Sequence, residues 1–583
     1  MKRILTSLLM LAAACSAALA GDVSPAVAEM VARQYLKSSL GRAVSVTPVD
    51  GVGCPTKGPS GTPDYYVFDA ERGGFVIIAG DDRLSPVIGW SPEGEFSLEG
   101  MPDNMASWMG MWSDIVGDVR AGRLAPQPGA AREWDDVSSG RTQFYASASR
   151  QLTTATWDQE YPYNLFCPDG SMAGCVAVAT AIIMHYYKWP AAGQGTIPGY
   201  NYVDDSGVRR TIEPISLGHE YKWDIMPLKV DGSAGTEALE EVARLIYEAG
   251  VMVRASFNRS GTGASSSNVE PGLATHFGYD ASSCRHYAYY FTADEWQQVL
   301  CRHIDEVGPV YYTASSNKGN GSHAMVIDGY SEGRFHINWG WGGRGNGFFT
   351  MPNFAVYTEG HSAILNIKPD AGGVIPDNVV IDSSDGNGGL TSATTDFKRG
   401  EPFNVECYYI VNRSYYPFDG EVALAVKHRD GSMGQMLTRD PLSIEPWRGL
   451  SYYFTNCIIT EDILVGDCIC VWYRSAATPQ WTQARANLRI GDVGEIPIAD
   501  AQGIAEVSSF DFSAETGLLV VSTKPDAQWT LADASGASLT AGVTFAEGRL
   551  TIDTRQYANG SYFLTLSKGS DSKTVEFVFG LKK

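Results

Sequence analysis

The chain has 583 residues, 44% hydrophobic and 19% charged, a composition that supports ordinary globular cores in roughly three to five domains. Its formal net charge of −22 argues against nucleic acid and anionic membrane as partners, because both reward clustered Lys and Arg. Beyond the amino-terminal leader no stretch is long and apolar enough to span a membrane as an integral segment. No paired Cys/His framework calls for a metal, and no cofactor is expected.

Met1-Lys2-Arg3 precedes an apolar run over residues 4–14, and Ala18-Leu19-Ala20 matches a small-residue signal-peptidase site. Residues 1–20 are therefore expected to be a signal peptide that is removed on export. Lipidation of Cys15 is the alternative, but the leucine usual three residues before such a cysteine is missing. Residues 21–140 form a first domain, with helical periodicity over 26–36, strand-like alternation over 65–69 and 74–78, and a helix near 105–119. The stretch 122–140, rich in Pro, Gly, Ser and charge, reads as an exposed linker open to cleavage.

The next region carries the chemistry. Thr156-Trp157-Asp158-Gln159 is followed by Gly174-Cys175-Val176-Ala177, where a glycine turn enters a small-residue helix over 175–187 that must stop before Pro190. A cysteine in the first turn of a helix faces unpaired N–H groups and the positive dipole end, and both favour the nucleophilic thiolate. A helix over 237–249, a strand over 251–256, a Gly/Ser-rich run over 260–267 and a helix near 269–276 follow. His323 lies 148 residues after Cys175 and opens an apolar run over 324–327. That run pairs with 335–338 as a hairpin, bringing His323 and Asn338 toward one open end. A thiol nucleophile needs an imidazole to hold it as an ion pair, and the imidazole needs a third group to fix its ring. The order Cys175, His323, Asn338 meets that need, at a separation near the ~130–150 residues of papain-like peptidases.

Residues 141–369 resemble the streptopain family of secreted bacterial cysteine peptidases, in the papain-like clan. The resemblance rests on Thr156-Trp157-Asp158-Gln159, Gly174-Cys175-Val176-Ala177, His323-Ala324-Met325-Val326-Ile327-Asp328-Gly329 and Asn338-Trp339-Gly340-Trp341-Gly342-Gly343. It implies Cys175 as nucleophile, His323 as general base, and Gln159 as partner of the Cys175 N–H in an oxyanion hole. Asn338 is the first candidate to orient His323, with Trp339 and Trp341 shielding that hydrogen bond; a neighbouring Trp as the orienting group stays open. The resemblance also makes the 260–267 loop a wall of the substrate cleft, where extended peptide can pair by strand addition. Thr262, Ser322, Trp339 and Trp341 are the expected substrate-binding residues. Residues 21–140 then become an inhibitory propeptide domain. The expected fold is an α+β papain-like catalytic domain, preceded by an α+β propeptide domain and followed by two all-β sandwich domains.

Beyond residue 369 strand-like runs dominate. Those at 378–382, 403–411, 420–427, 450–459 and 467–473 suggest an immunoglobulin-like β-sandwich over 376–491. A second all-β unit covers 504–583, with runs at 518–522, 529–531, 549–552, 561–567 and 573–579. Its Leu550-Thr551-Ile552-Asp553-Thr554, Tyr557-Ala558-Asn559-Gly560-Ser561-Tyr562 and Lys573-Thr574-Val575-Glu576-Phe577-Val578 resemble the carboxy-terminal sorting domain of the type IX secretion pathway. That resemblance implies the type IX export machinery as a partner. It also implies a protein secreted from, or attached to the outer surface of, a Gram-negative bacterium; one more binding sandwich is the alternative. One pair among Cys407, Cys457, Cys468 and Cys470 is open to disulfide formation in an oxidising compartment.

Together these features imply a secreted cysteine endopeptidase made as an inactive zymogen, its partners being protein and peptide substrates and its own propeptide. A catalytically silent cell-surface binding protein on the same scaffold is the alternative, and acyl transfer to an amine would use the same residues. The presence of Cys175, His323, Asn338 and Gln159 together favours the enzyme.

Overall fold

The computed structural model describes residues 21–49, 62–140, 149–315, 322–352, 360–384, 387–461, 463, 466–490, 494–498, 509–513, 517–522, 528–534, 536–546, 549–558, 560–568 and 571–579. The chain divides into two units, Met1–Pro376 and Asp377–Lys583.

The first unit begins with helix α1 (Pro25–Leu40), started by Pro25 and an Oγ of Ser24 that accepts from the Val27 N–H, and ended by Gly41 at φ 62°. Its buried residues Ala28, Val31, Ala32, Tyr35 and Leu36 repeat at helical spacing and face the sheet. Strands β1 (Val46–Pro48), β2 (Tyr65–Ala70), β3 (Phe75–Ala79) and β4 (Val87–Ser91) form an antiparallel meander. Helix α2 (Asp103–Arg120) buries Met105, Trp108, Met109, Trp112, Ile115, Val116 and Val119. Helix α3 (Ala130–Ser138) closes the domain.

Residues 122–140 are thus not an exposed linker throughout. Trp134 and Val137 of α3 are buried, and the Trp134 Nε1–H donates to the Leu84 carbonyl (2.8 Å). The Pro and Gly content hid an apolar set, Ala130, Trp134 and Val137, at i, i+4 and i+7. Residues 141–148 lie outside the described residues.

The catalytic region is built on helix α4 (Cys175–Tyr187), flanked by α5 (Thr236–Met252) and α6 (Val269–Phe277). Residues Val176 to His185 of α4 are all buried, which marks a central helix packed on every side. The expected strand over 251–256 does not form. The helix α5 runs through its first residues, and Ser256 makes only an isolated bridge to Gly263. Complete burial of Val251 and Val253 outweighs the strand preference of their branched side chains.

Strands β5 (Arg150–Gln151), β6 (Cys284–Tyr287), β7 (Val310–Ser315), β8 (Ser322–Ser331), β9 (Arg334–Asn338), β10 (Gly347–Phe349) and β11 (Ser362–Leu365) complete the region, with α7 (Ala293–Glu306) between β6 and β7. The expected hairpin is β8–β9, in register Val326↔Asn338 and Ile327↔Ile337.

All of these strands belong to one 11-stranded sheet, ordered β1-β2-β3-β4-β10-β9-β8-β7-β11-β6 with β5 on β8. The amino-terminal domain therefore extends the catalytic sheet. The joint is β4–β10, with Trp90 opposite Phe348 and Gly89 opposite Phe349. The Trp90 and Phe348 rings stack with centroids 5.3 Å apart. A Cβ at Gly89 would lie 2.5 Å from the Phe349 ring, so only glycine lets the strands approach. Around the joint the Tyr35 hydroxyl donates to Glu332 (2.8 Å), and the Thr350 hydroxyl and Arg334 Nε–H donate to the Val87 carbonyl (2.8 and 3.3 Å).

The second unit is all β. Pro402–Asn412 and Gly449–Ile458 lead one sheet; Phe418–Lys427, Met433–Ile444 and Cys468–Ser475 lead the other. Both sheets contribute to one core, with Val405, Ile410 and Phe454 from the first and Val422, Leu424 and Val471 from the second. Strand Met433–Ile444 carries no clear strand-like alternation in its sequence. It lies at a sheet edge, where Pro441, Arg439 and Asp440 are tolerated and mask the alternation. Cys407, Cys457, Cys468 and Cys470 are free thiols, so none of the four forms the disulfide entertained above. Cys407 and Cys457 stand in register with Tyr452 and Phe403 rather than with each other, and the Cys468 thiol donates to Glu495 (3.0 Å). Two further four-stranded sheets over 509–579 share a small core that includes Val521, Leu531, Leu550, Ile552, Leu564 and Leu566.

Candidate active site

Gly174 stands at φ 92° immediately before α4, and a Cβ there would meet the Thr262 methyl at 2.9 Å. The turn that presents Cys175 thus requires glycine twice, for its dihedral and for the approach of the 260–267 loop. The Thr262 hydroxyl donates to the Met172 carbonyl (2.6 Å) and accepts from the Asn258 N–H (2.9 Å), so it secures this loop against the segment leading to Cys175. Gln159 is buried, and its carbonyl accepts from the Ala173 N–H (2.9 Å), two residues before the cysteine. The 158–160 turn is fixed by Asp158, which accepts from the N–H of Gln159 (2.7 Å) and is paired with Arg344 (3.1 Å).

The N–H of Ala324 donates to the Cys175 sulfur at 3.5 Å, which brings the start of β8 against the start of α4. His323 is the residue just before it. Along β8, Ala324 and Val326 belong to the core around α4, whereas Met325 and Ile327 belong to the core shared with α2. Strand alternation therefore places the half-buried His323 on the α2 face, opposite Ala314. Ser322 is exposed at the strand's first position. Asn338, fully buried, donates to the Ala155 carbonyl (2.8 Å) and the Thr154 hydroxyl (3.2 Å) and accepts from the Gly340 N–H (3.2 Å). Thr154 in turn donates to Asp328, whose other oxygen meets His336 Nδ1 at 2.5 Å. This buried chain anchors the end of β9. Trp339 is wholly buried between Trp108 and Phe349, its Nε1–H on the Gly345 carbonyl (2.9 Å), while Trp341 lies under the Arg344 guanidinium.

Sequence reasoning missed the first turn of α2. The Asn104 amide, itself buried, donates to the carbonyls of Trp339 (2.7 Å) and Ala324 (3.3 Å), the residues that follow Asn338 and His323. Met105 packs on Gly345, where a Cβ would also lie 3.8 Å from the Trp339 ring. Burial pushes the Cys175 thiol above its ordinary range, and the Asp103 carboxylate adds to that rise. The N–H groups of Ala324, Val176 and Cys175 itself pull it back. The seated α2 therefore opposes the thiolate that the helix start favours. No local pattern in residues 103–105 announces this role; only the tertiary contact reveals it.

His185 is no rival base. It sits near the far end of α4, its Nε2 on the Met226 carbonyl (3.0 Å) and its ring against Trp157, and burial lowers its pKa. Among the described residues no group of His, Cys, Asp and Glu is arranged to hold a metal, and no helix is long and apolar enough to cross a membrane.

Residues 157–349 match the Peptidase C10 family, and residues 20–115 match the Spi protease inhibitor family. The chain is 30% identical over 339 residues to the thiol protease/hemagglutinin PrtT of Porphyromonas gingivalis, covering 54% of this chain and 38% of PrtT. It thus spans well under half of that relative's length. It is 28% identical over 341 residues to streptopain of Streptococcus pyogenes, covering 52% of this chain and 81% of streptopain. The structure of Prevotella intermedia prointerpain A is similar at 24% identity and a TM-score of 0.45, over 56% of this chain and 100% of that one.

Proposed function

We propose, from the membership of residues 157–349 in the Peptidase C10 family, that the chain is the precursor of a secreted cysteine endopeptidase. Cys175 is the nucleophile and His323 its base. After α2 withdraws, the half-buried His323 and the thiol can meet as a thiolate–imidazolium pair at the end of β8. The thiolate attacks the scissile carbonyl, and the imidazolium returns its proton to the leaving amine. The N–H of Cys175 and the Gln159 side chain receive the oxyanion. Asn338 holds the end of β9 through Thr154 and Ala155, which keeps the neighbouring segment in place for His323. Within the structure, the observation that supports this reading is the Ala324 N–H on the Cys175 sulfur, which joins the helix of the nucleophile to the strand of the base.

Latency follows from Asn104, whose amide occupies the carbonyls beside both His323 and Asn338. Of the two all-β regions, the first is read as an immunoglobulin-like accessory sandwich and the second as a type IX sorting domain, which implies export from a Gram-negative bacterium. The substrates are proteins and peptides, bound along the 260–267 loop, with the exposed Ser322 at the start of β8 as a further contact.

The test is the Cys175→Ala precursor beside the wild type. Wild type is expected to mature and then react with a thiol-directed peptidyl epoxide, whereas Cys175→Ala remains full length and unlabelled. Casein digestion by Cys175→Ala would refute the nucleophile. A wild-type chain that is freed of residues 21–140 and still fails to label would establish the silent binding protein instead.

A further inference from the structure

An ionic site lies at the amino-terminal edge of the first domain, away from the chemistry of Cys175. Gly21 to Val23 run antiparallel to residues 80–82. Asp22 bridges Asp81, the Val23 N–H donates to the Gly80 carbonyl and the Asp82 N–H to the Gly21 carbonyl, both at 2.9 Å. The Gly21 N–H donates to Asp82 Oδ1 at 2.7 Å. Asp82 is 7% exposed, and its buried Oδ2 has no hydrogen-bond partner among the described residues.

In the contacts that follow, among the described residues, acidic side chains around Asp82 outnumber basic ones. Arg120 meets Asp22 and Asp64 at 2.8 Å and Asp81 at 3.7 Å, and Arg83 meets Asp81 through two bonds of 2.8 and 2.7 Å. With Asp82, these described contacts set four carboxylates against two guanidiniums. Burial raises the Asp82 carboxyl above its ordinary range; Asp81 also raises it, while the Gly21 N–H and Arg83 lower it. A carboxylate so placed calls for a cation.

The sequence supplies one. Hydrolysis after Ala20 adds water across the Ala20–Gly21 bond, leaving a carboxylate on the released peptide and a primary amine on Gly21. That amine is protonated at neutral pH, its ordinary pKa being about 7.7–8.0. We propose that Asp82 is the binding site for the α-ammonium that signal-peptide removal creates at Gly21. One N–H then becomes three charged donors, of which one keeps Oδ1 and another is available to Oδ2. Asp82 thereby gains a directly bonded cation only after export, which couples full stability of the first domain to removal of the leader. The ion pair holds the α-amine pKa above its unfolded value. Its stabilisation is present below about pH 8 and is lost as pH rises through the shifted value.

The inference rests on reading Ala18-Leu19-Ala20 as the cleavage site, independently of the peptidase assignment. Amino-terminal sequencing of the exported precursor tests that premise, and a terminus other than Gly21 overturns the proposal at its premise. The docking itself is tested on the Cys175→Ala full-length precursor beginning at Gly21. Trace acetylation of the α-amine by acetic anhydride is followed against pH, in folded and urea-unfolded protein, by mass spectrometry of the terminal peptide. The folded midpoint is expected about one unit or more above the unfolded one, so that acetylation near neutral pH is at least about tenfold slower. Asp82→Asn is expected to return it to the unfolded value. Equal midpoints overturn the proposal, as does a lower plateau at an unchanged midpoint, which signifies shielding alone. Should Asp82→Asn fail to fold, a precursor with two residues added before Gly21 keeps Asp82 intact. It is expected to show no shift at its displaced amine and an earlier thermal unfolding of the first domain; an unchanged shift overturns the docking.

Discussion

Cys175 is held between two opposed influences, a helix start that favours thiolate and a buried setting, with the Asp103 carboxylate of α2 nearby, that disfavours it. Because burial raises its pKa, the precursor is expected to hold fewer thiolates at neutral pH than the mature enzyme of the proposed reading. Iodoacetamide should therefore alkylate Cys175 slowly in an unprocessed precursor at neutral pH and much faster after residues 21–140 are released. The sign for stability follows the same shift. With the thiol value raised in the seated form, that form's advantage is lost as pH rises through the raised value. Precursor latency should accordingly weaken at alkaline pH, as read by the lag before casein digestion.

Asn104→Ala removes two hydrogen bonds to buried carbonyls, worth together about 1–2 kcal/mol. It should shorten that lag roughly 5–30-fold without changing the activity of the mature enzyme. A lag equal to that of wild type would show that α2 inhibits by bulk alone. Farther from the sulfur, the buried Arg285 guanidinium joins the Ser266 carbonyl of the cleft loop (2.7 Å), Glu270 (3.2 Å) and Ser362 (3.1 Å). Arg285→Met strands the Glu270 charge and should cost about 3–5 kcal/mol in a denaturant titration. Adding Glu270→Gln to that variant should restore part of the loss.

Among the elements, β4 decides how the two halves of the first unit meet. Its five residues lie between Pro86 and Pro92 and are buried throughout, so no alternation marks them in sequence. Pairing with β10 makes the inhibitor an extension of the enzyme's own sheet. Gly89→Val forces a side chain into the Phe349 ring, an overpacking worth about 1–3 kcal/mol. The variant precursor should unfold its amino-terminal domain at lower temperature and mature sooner. Scanning calorimetry and the appearance of the mature band check the two effects, and an unaltered melting profile would show that the joint bears little load. Helix α3 works at the same scale, since Trp134 pins the end of the 122–140 segment to Leu84. Maturation is accordingly expected beyond Ser138, and sequencing the mature amino terminus decides it.

At the scale of the molecule, the proposed catalysis and latency would both lie in Met1–Pro376, and the all-β regions lie in Asp377–Lys583. Deleting residues 504–583 should leave an activatable enzyme inside the cell, because no candidate chemical group lies in that segment. Normal appearance of the truncated protein outside the cell would refute the sorting assignment without touching Cys175.

Local events are legible in the chain's own residue order. The glycine turn into α4, the hairpin ending at Asn338, the periodicity of α1 and α2 and the strand-rich carboxy-terminal half are all written in spacings of a few residues. So were Cys175 and His323 as candidates, because nucleophile and base need particular residue types in particular settings. Tertiary structure alone decided what depends on contact between distant segments. Asn104 and Trp339 are 235 residues apart, and nothing in the neighbourhood of either predicts their hydrogen bond. The joining of β4 to β10, the anchoring of Asn338 through Thr154, and the face on which His323 lies are of the same kind. Periodicity reports which side of an element is apolar; the partner that covers that side is chosen only when the whole chain packs.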